Sequence, residues 1–252
     1  MIIFLACAKI MTGVCTRSLP LTTEPFFQLR ANENAIQMAS YSSEALMRML
    51  RVNADIAQEN WWRYQHFFDE EVKREPAAFA YDGMVFRKLA PESFSDSDLI
   101  YANDHLLIGS FLYGLLRPLD LVKKYRMEGS VTLPENKGLN MFDYWKPLLT
   151  DCFIQRIKAD DGILLNLASE EMKFLFDWKK VTKEVRVVTP EFYTVKDGKP
   201  KTIVIYTKMC RGAMTRYVLQ NRITSPEDLK SFQHEGFCYD ETKTDKFEFI
   251  LS

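Results

Sequence analysis

Short apolar runs alternate in this sequence with longer segments of helical periodicity, and this alternation restricts the fold strongly. Residues 2–6 and 163–166 are brief apolar runs that predict buried strands, whereas residues 140–157 have the spacing of an amphipathic helix. Interleaved strands and helices are typical of a mixed α/β (α+β) protein. The 252 residues are 47% hydrophobic, enough for a substantial core, and contain no linker, repeat or low-complexity segment. We therefore predict a single domain over residues 1–252.

Other segments carry recognisable helix starts and turn signals. Further helices are predicted over residues 26–38, from Ser42, over 54–68, from Ser95 through an apolar run that reaches Ile108, over 209–220, and from Ser225. A short strand is predicted over residues 77–81 and two more over 236–239 and 247–251. A β-hairpin is predicted over residues 185–206, with arms at 185–188, 192–195 and 202–206 around the turn Lys196–Asp197–Gly198–Lys199.

Composition excludes several classes of protein. The 33 basic and 34 acidic residues give a net charge of −1, so bulk charge does not indicate a nucleic-acid binder. No apolar run approaches the ~18 residues of a membrane span, and the N-terminal run lacks the basic start of a signal peptide. The five cysteines are odd in number and no pair has metal-ligand spacing, as is also true of the three histidines. We predict a cytoplasmic protein without membrane contact, bound metal or cofactor.

Positive charge is concentrated in one part of the chain. Residues 181–222 contain nine basic and three acidic side chains, whereas the rest of the chain is net acidic. Lys208 and Arg211 are three positions apart, which places them on one face of a helix, and Arg216 follows. The block is either a solvated surface or an anion-binding site, and the sequence leaves both open.

The segment of residues 106–125 has two interpretations. Apolar residues flank Gly114 between two stretches that could be helical, as in a helix-hairpin-helix element whose glycine permits a tight turn. The backbone N–H groups of such a hairpin face a phosphate, and Arg117 would add positive charge. The alternative, favoured by the pattern alone, is an ordinary turn between two helices.

Polar side chains follow the predicted strands, where α/β proteins build their sites. Lys9 follows the first strand, Asn166 ends another, and Arg126 lies just after the 106–125 segment. Together with Arg117, Lys208 and Arg211, they predict a pocket that binds an anion. No nucleophile is paired with a base, so catalysis is uncertain and a binding function is favoured over an enzymatic one.

Several stretches together resemble the YaaA family of bacterial peroxide stress proteins. Residues 110–121 read Ser-Phe-Leu-Tyr-Gly-Leu-Leu-Arg-Pro-Leu-Asp-Leu and residues 166–170 read Asn-Leu-Ala-Ser-Glu; further matches are Ala8–Lys9, residues 125–128, residues 206–214 and Glu235–Gly236. The chain departs from the family where Ala6–Cys7 stands in place of Ser–Pro and where Met209–Cys210 stands in place of Lys–Ala, which removes one basic residue. The resemblance implies a mixed α/β domain with a helix-hairpin-helix element and a positively charged cleft. It also implies DNA binding, including non-B-form duplexes, and a role in limiting iron-dependent oxidative damage.

Two hypotheses follow for the basic site. The first is a monomeric DNA-binding stress protein with weak sequence preference. The second is an enzyme that acts on a small anionic or nucleotide-like substrate in the same pocket; direct iron binding is a less favoured third. The candidate DNA- or anion-binding residues are Lys9, Tyr113, Gly114, Arg117, Arg126, Asn166, Lys208, Arg211 and Arg216.

Overall fold

The computed structural model describes residues 1–196, 199–243 and 246–251. Within them lie these strands: β1 (Ile2–Ala6), β2 (Glu75–Pro76), β3 (Leu106–Ser110), β4 (Gly114–Leu116), β5 (Leu121–Val122), β6 (Ile163–Asn166), β7 (Arg186–Val188), β8 (Glu191–Lys196), β9 (Lys199–Lys201), β10 (Phe237–Tyr239) and β11 (Glu248–Leu251). The helices are α1 (Gln28–Ala39), α2 (Ser43–Leu50), α3 (Ala54–Gln65), α4 (Ala77–Ala80), α5 (Met84–Leu89), α6 (Asp96–His105), α7 (Met141–Lys158), α8 (Trp178–Glu184) and α9 (Val204–Gln220). Short 3₁₀ helices cover Pro91–Ser93, Pro134–Asn136, Glu170–Leu175 and Pro226–Ser231. This is the mixed α/β architecture predicted from the sequence.

A five-stranded sheet in the order β4-β3-β1-β6-β7 forms the centre of the fold. Strand β1 runs parallel to both β3 and β6, β7 runs parallel to β6, and β4 closes one edge antiparallel to β3. Strand β1 is a continuous run of apolar side chains because helices cover both faces of a parallel sheet. Both of its neighbours come later in the chain, and the strand order runs outward from β1 in opposite directions, so the sheet has a crossover point between β1 and β6.

Two smaller sheets complete the strand pairing. Strands β10-β11-β8-β9 form a four-stranded sheet in which β8 and β11 are parallel, and β2 pairs with β5. The two strands predicted near the end of the chain are therefore confirmed as β10 and β11. Strand β9 pairs antiparallel with β8, while the predicted turn residues Asp197 and Gly198 lie outside the described residues.

Side-chain caps fix several helix starts where the sequence predicts them. Ser42 caps α2 through the N–H of Ala45, and Asn140 caps α7. Ser95 and Asp98 form a reciprocal capping box at the start of α6. Trp145 of α7 is fully buried and donates its indole N–H to the Phe111 carbonyl oxygen at 2.7 Å, which ties this helix to the end of β3. None of the described helices combines the length and apolarity that crossing a bilayer requires.

The segment interpreted as a pair of helices around Gly114 is instead a β-hairpin, so the prediction of a helix-hairpin-helix element there is wrong. Helix α6 ends at His105, and Leu106–Ser110 continues as β3, which pairs with β4 from Ile108↔Leu116 to Ser110↔Gly114. A short apolar run cannot be assigned to helix or strand from periodicity alone, and here pairing with β1 decides in favour of the strand.

Two shorter predictions are also wrong. Residues 77–80 form a helical turn, α4, rather than part of a strand, because three of them are alanines, which favour a helix, and the Tyr81 N–H donates to the Ala77 carbonyl oxygen at 3.3 Å. The predicted hairpin over 185–206 is divided: β7 joins the central sheet, β8 and β9 pair with each other, and residues 204–206 already belong to α9.

Candidate anion-binding pocket

A cavity of about 370 Å³ lies where β1, β3 and β6 end at their carboxyl sides, at the crossover of the central sheet. Open α/β sheets bind ligands at this kind of position, because the loops that leave neighbouring strands diverge there. We call it the strand-end pocket. Its lining comprises residues 6–10, 82–86, Phe111, 125–128, Leu167, Ser169, Glu171, Met172, Lys208 and Arg211.

Two basic side chains of the pocket share one carboxylate. The Lys9 ammonium lies 2.7 Å from one oxygen of Glu128, and Arg126 lies 3.1 Å from the other. Glu128 and Arg126 are only 12% and 15% exposed, whereas Lys9 is largely in solvent. The three groups together carry one net positive charge, so the protein itself neutralises half of the positive charge on this side of the pocket.

The opposite side of the pocket is formed by α9, which brings Lys208 and Arg211. Helix α9 approaches α5 very closely: a Cβ on Gly212 would lie 2.1 Å from the Val85 carbonyl oxygen. Only glycine permits this contact, and the contact holds Arg211 beside the pocket wall. Lys208 is exposed at the rim, and Arg211 is half-buried deeper in.

Arg211 differs from Arg126 because it has no counterion among the described residues. Its Nε, like that of Arg126, is buried without a hydrogen-bond partner among the described residues. Burial lowers the pKa of its guanidinium, and the negative charge that opposes this shift, Glu170, is itself paired with Lys173 at 2.6 Å. The pocket therefore contains a desolvated cation whose hydrogen-bonding capacity is partly unused.

The floor of the pocket consists of neutral polar groups. Burial, with the added effect of Glu128 and Glu171, raises the pKa of the Cys7 thiol to about 12. The Tyr125 hydroxyl lies 2.6 Å from Ser110 Oγ and 2.8 Å from the Tyr81 hydroxyl, and burial raises its pKa well above the ordinary value. At neutral pH the thiol and the hydroxyls keep their protons, so none of them is an activated nucleophile.

The structure brings together four of the predicted site residues, Lys9, Arg126, Lys208 and Arg211, and leaves the others outside the pocket. Tyr113 is buried and accepts a hydrogen bond from the Lys123 N–H, and Asn166 supports the turn after β6 by accepting from the Ala168 N–H. Gly114 has φ +73° and packs against Trp145 in the β3–β4 hairpin. Arg216 donates to Gln220 along α9.

Arg117 is fully engaged inside the protein. Its backbone N–H and its guanidinium donate to the carboxylate of Asp120 at 2.7 to 3.0 Å, and its Nη2 also donates to the Glu24 carbonyl oxygen. The guanidinium lies 4.4 Å from the Phe26 ring centroid. Asp120 is completely buried and also accepts a hydrogen bond from Thr23. These contacts join β5 to the segment before α1, and they account for Arg117 without a ligand.

Sequence reasoning missed several residues of the pocket. Met84 and Val85 come from α5, a helix of six residues that is too short for its periodicity to predict. Glu171 and Met172 follow Ser169, and their position after β6 is the signal that could have identified them. The methionines lie far apart in the chain and no sequence pattern links them.

The described residues hold no cluster of three or more His, Cys, Asp or Glu side chains that could bind a metal ion, and their five cysteines are free thiols.

Comparison with known proteins gives a consistent result over almost the whole chain. The model of a family described as peroxide stress protein YaaA matches residues 1–243. UPF0246 proteins are 52% identical in Phocaeicola vulgatus and 54% in Bacteroides fragilis over 252 residues, all of this chain and 99% and 98% of theirs. A third, from Porphyromonas gingivalis, is 46% identical over 255 residues, covering all of this chain and 99% of its own. The matched region contains every segment that lines the strand-end pocket.

Proposed function

The chain belongs to the YaaA family of peroxide stress proteins, and we propose that its strand-end pocket binds a small anionic ligand. The observation that carries the proposal is Arg211. A partly buried guanidinium without a counterion, and with a buried Nε that lacks a partner, destabilises the protein by about 1–3 kcal/mol. A bound phosphate or carboxylate removes this penalty because it supplies the missing acceptors, and a planar guanidinium can hold either one in a bidentate manner.

The size and charge of the pocket support a small ligand. Its volume of about 370 Å³ lies within the range of roughly 300–1,000 Å³ that is usual for small-molecule sites. Lys9, Arg126, Lys208 and Arg211 bring four positive charges, against the acidic groups Asp82, Glu128 and Glu171. This balance suits a ligand with one or two negative charges better than it suits a polyanion.

Thermal unfolding in the presence of anions tests the proposal. A ligand that binds the folded state at 100 times its Kd stabilises it by about 2.7 kcal/mol. We expect phosphate to raise the Tm of the wild type above that in sodium chloride of equal ionic strength, and to have no such effect on Arg211→Met. A Tm shift of equal size in both proteins would refute the proposal, because the effect would then be a general one of the salt.

DNA binding is the second candidate function, and exposed basic residues outside the pocket favour it. Lys183, Arg186, Lys199 and Lys201 are all solvent-exposed in the part of the chain that has excess positive charge. Such side chains bind phosphates without reading base sequence, and the affinity falls steeply with salt. Fluorescence anisotropy of labelled intact duplex, bubbled duplex and single strand, at low and physiological salt, tests this candidate. Absence of binding at low salt would exclude it.

Whether the ligand is a small anion or DNA, we propose that the protein acts in the cytoplasm as a monomer and that it limits iron-dependent oxidative damage. The five free thiols are in keeping with a reducing compartment. Complementation of a deletion strain tests this link to function. The wild-type gene should restore growth in hydrogen peroxide and the Arg211→Met gene should not; equal rescue by both would separate the pocket from peroxide defence.

A further inference from the structure

We infer that the ligand of the strand-end pocket is a nucleotide unit, with its base among the apolar walls and its phosphate at Arg211 and Lys208. This inference rests on the proposed anion-binding function and adds the chemical class of the ligand. It is carried by three features of the pocket: the composition of its walls, the neutral polar groups of its floor, and the location of its positive charge.

The walls are formed largely by soft apolar side chains. Met84, Met127 and Met172 line the pocket together with Phe111. Methionine sulfur makes favourable contacts with aromatic rings, and its flexible side chain adapts to the flat face of a ring. A small anion alone, such as free phosphate, would leave these apolar walls without a contacting group of the ligand. The walls therefore indicate a ligand with an apolar or aromatic body in addition to its anionic group.

The floor distinguishes a heteroaromatic body from a purely hydrocarbon one. The Tyr125 hydroxyl is hydrogen-bonded to Ser110 and Tyr81, which leaves it one acceptor lone pair, and the protonated thiol of Cys7 is a weak donor and acceptor. A hydrocarbon body would leave this lone pair and the thiol without a partner. The edge of a nucleobase carries both donors and acceptors, so it can pair with neutral groups of this kind.

The positive charge that has no counterion in the described part of the chain lies on the α9 side and extends toward the rim. Arg211 is half-buried and Lys208 is exposed, whereas Lys9 and Arg126 are already engaged by Glu128. A phosphate bound by Arg211 and Lys208 is therefore near the entrance, and its outer oxygens face solvent. This position is compatible with two sources of the same chemistry: a free mononucleotide, or a nucleotide swung out of a nucleic-acid strand as in enzymes that flip bases.

Calorimetric titration of the full-length protein with four probes tests the inference: inorganic phosphate, ribose 5-phosphate, adenosine 5′-monophosphate and cytidine 5′-monophosphate. We expect at least one of the two nucleotides to bind about tenfold or more tightly than ribose 5-phosphate, since contact of a base with apolar side chains contributes a factor of this order. Equal affinity for ribose 5-phosphate and both nucleotides would overturn the inference while leaving the anion site intact. Failure of all four probes to bind would refute the proposed function itself.

Variants assign the two parts of the ligand to the two parts of the pocket. Met84 is only partly buried, so Met84→Ala should fold, and it should weaken nucleotide binding about threefold or more and phosphate binding by less. Tyr125→Phe should act in the same direction. Arg211→Met should weaken binding of phosphate and nucleotide alike. Loss of phosphate binding in Met84→Ala, or full nucleotide affinity in both Met84→Ala and Tyr125→Phe, would contradict the inference.

A parallel titration with a single-stranded oligonucleotide and with a duplex that contains one unpaired nucleotide identifies the source. Binding of a mononucleotide more tightly than of either nucleic acid would assign a free nucleotide as the ligand. Tighter binding of the duplex with an unpaired nucleotide than of a fully paired one, abolished by Arg211→Met, would assign a strand. Both results support a nucleotide unit.

Discussion

Arg117 and Arg211 are chemically identical side chains for which the structure predicts opposite consequences of removal. Both were candidates for phosphate binding from the sequence. Arg117 satisfies a completely buried carboxylate, whereas Arg211 has neither a carboxylate partner among the described residues nor a hydrogen bond at its buried Nε. Replacement of each by methionine, which keeps most of the apolar stem, separates a structural arginine from a ligand-binding one.

The magnitude for Arg117→Met follows from its contacts. The substitution removes two guanidinium hydrogen bonds to Asp120, at 3.0 and 2.8 Å, and one to the Glu24 carbonyl oxygen at 2.8 Å. Breaking a buried ion pair by removing one partner destabilises a protein by about 3–5 kcal/mol, because the remaining charge is left buried. For a chain of this size, each kcal/mol lowers the Tm by roughly 2–4 °C, so the expected loss is about 6–20 °C.

Arg211→Met should have little effect on stability or raise it slightly, because the substitution removes a desolvated charge and an unpaired donor from the protein. It should nevertheless abolish the anion-dependent rise in Tm. Differential scanning calorimetry of both variants and the wild type, with and without phosphate, measures all of these quantities. The double variant Arg117→Met/Asp120→Asn serves as a control and should recover part of the lost stability. Similar destabilisation by Arg117→Met and Arg211→Met would refute the distinction between the two arginines.

Three further predictions concern the pocket and its walls. Gly212→Ala should lower the free energy of unfolding by about 1–3 kcal/mol, because its Cβ would lie 2.1 Å from a backbone oxygen of Val85 that cannot rotate away; an unchanged urea midpoint would contradict this contact. Glu128→Gln should strengthen phosphate binding by about 1 kcal/mol, roughly fivefold, since it frees Lys9 and removes a nearby negative charge; weaker binding by calorimetry would contradict the role given to this carboxylate. The thiol of Cys7, with its pKa raised to about 12, should resist iodoacetamide at pH 8 in the folded protein and react in urea. Deprotonation of this thiol is easier in the unfolded chain. Its contribution to stability is therefore present below about pH 8.5 and is lost as the pH rises toward 12. Rapid modification of Cys7 at pH 8, detected by peptide mass spectrometry, would show that the thiol is accessible and ionised.

Local signals in the sequence predict much of the secondary structure. Ser42, Ser95 and Asn140 are correctly identified as helix caps, because a cap depends on residues within the same turn. Strand β1 is also correctly predicted, since a run of apolar residues at that length is typical of a central parallel strand. These features need no information about distant parts of the chain.

Predictions fail where tertiary pairing decides the outcome. Residues 106–108 are apolar in a row and fit a helix as well as a strand, and only the pairing of this segment with β1 makes it β3. The same dependence explains the error over Arg117: a basic residue near a glycine turn resembles a phosphate contact, but Asp120 three residues later is buried and takes it as a partner.

The candidate site is predictable only in part, because its positions along the chain can be predicted and the pairing of its side chains cannot. Residues that follow strands are recognisable as candidates, and Lys9, Lys208 and Arg211 do meet at the strand-end pocket. The sequence gives no indication that Glu128 pairs with both Lys9 and Arg126 while Arg211 has no counterion among the described residues, because this difference arises from side-chain geometry. Burial and pairing, rather than residue type, single out Arg211.

The most direct test of the central claim is a crystal structure of the protein grown with a nucleoside 5′-monophosphate. The anion-binding proposal predicts phosphate oxygens at about 3 Å from the guanidinium nitrogens of Arg211, including Nε, with the rest of the ligand inside the strand-end pocket. A structure in which the ligand is bound elsewhere, with Arg211 satisfied by a protein group or by solvent alone, would contradict it.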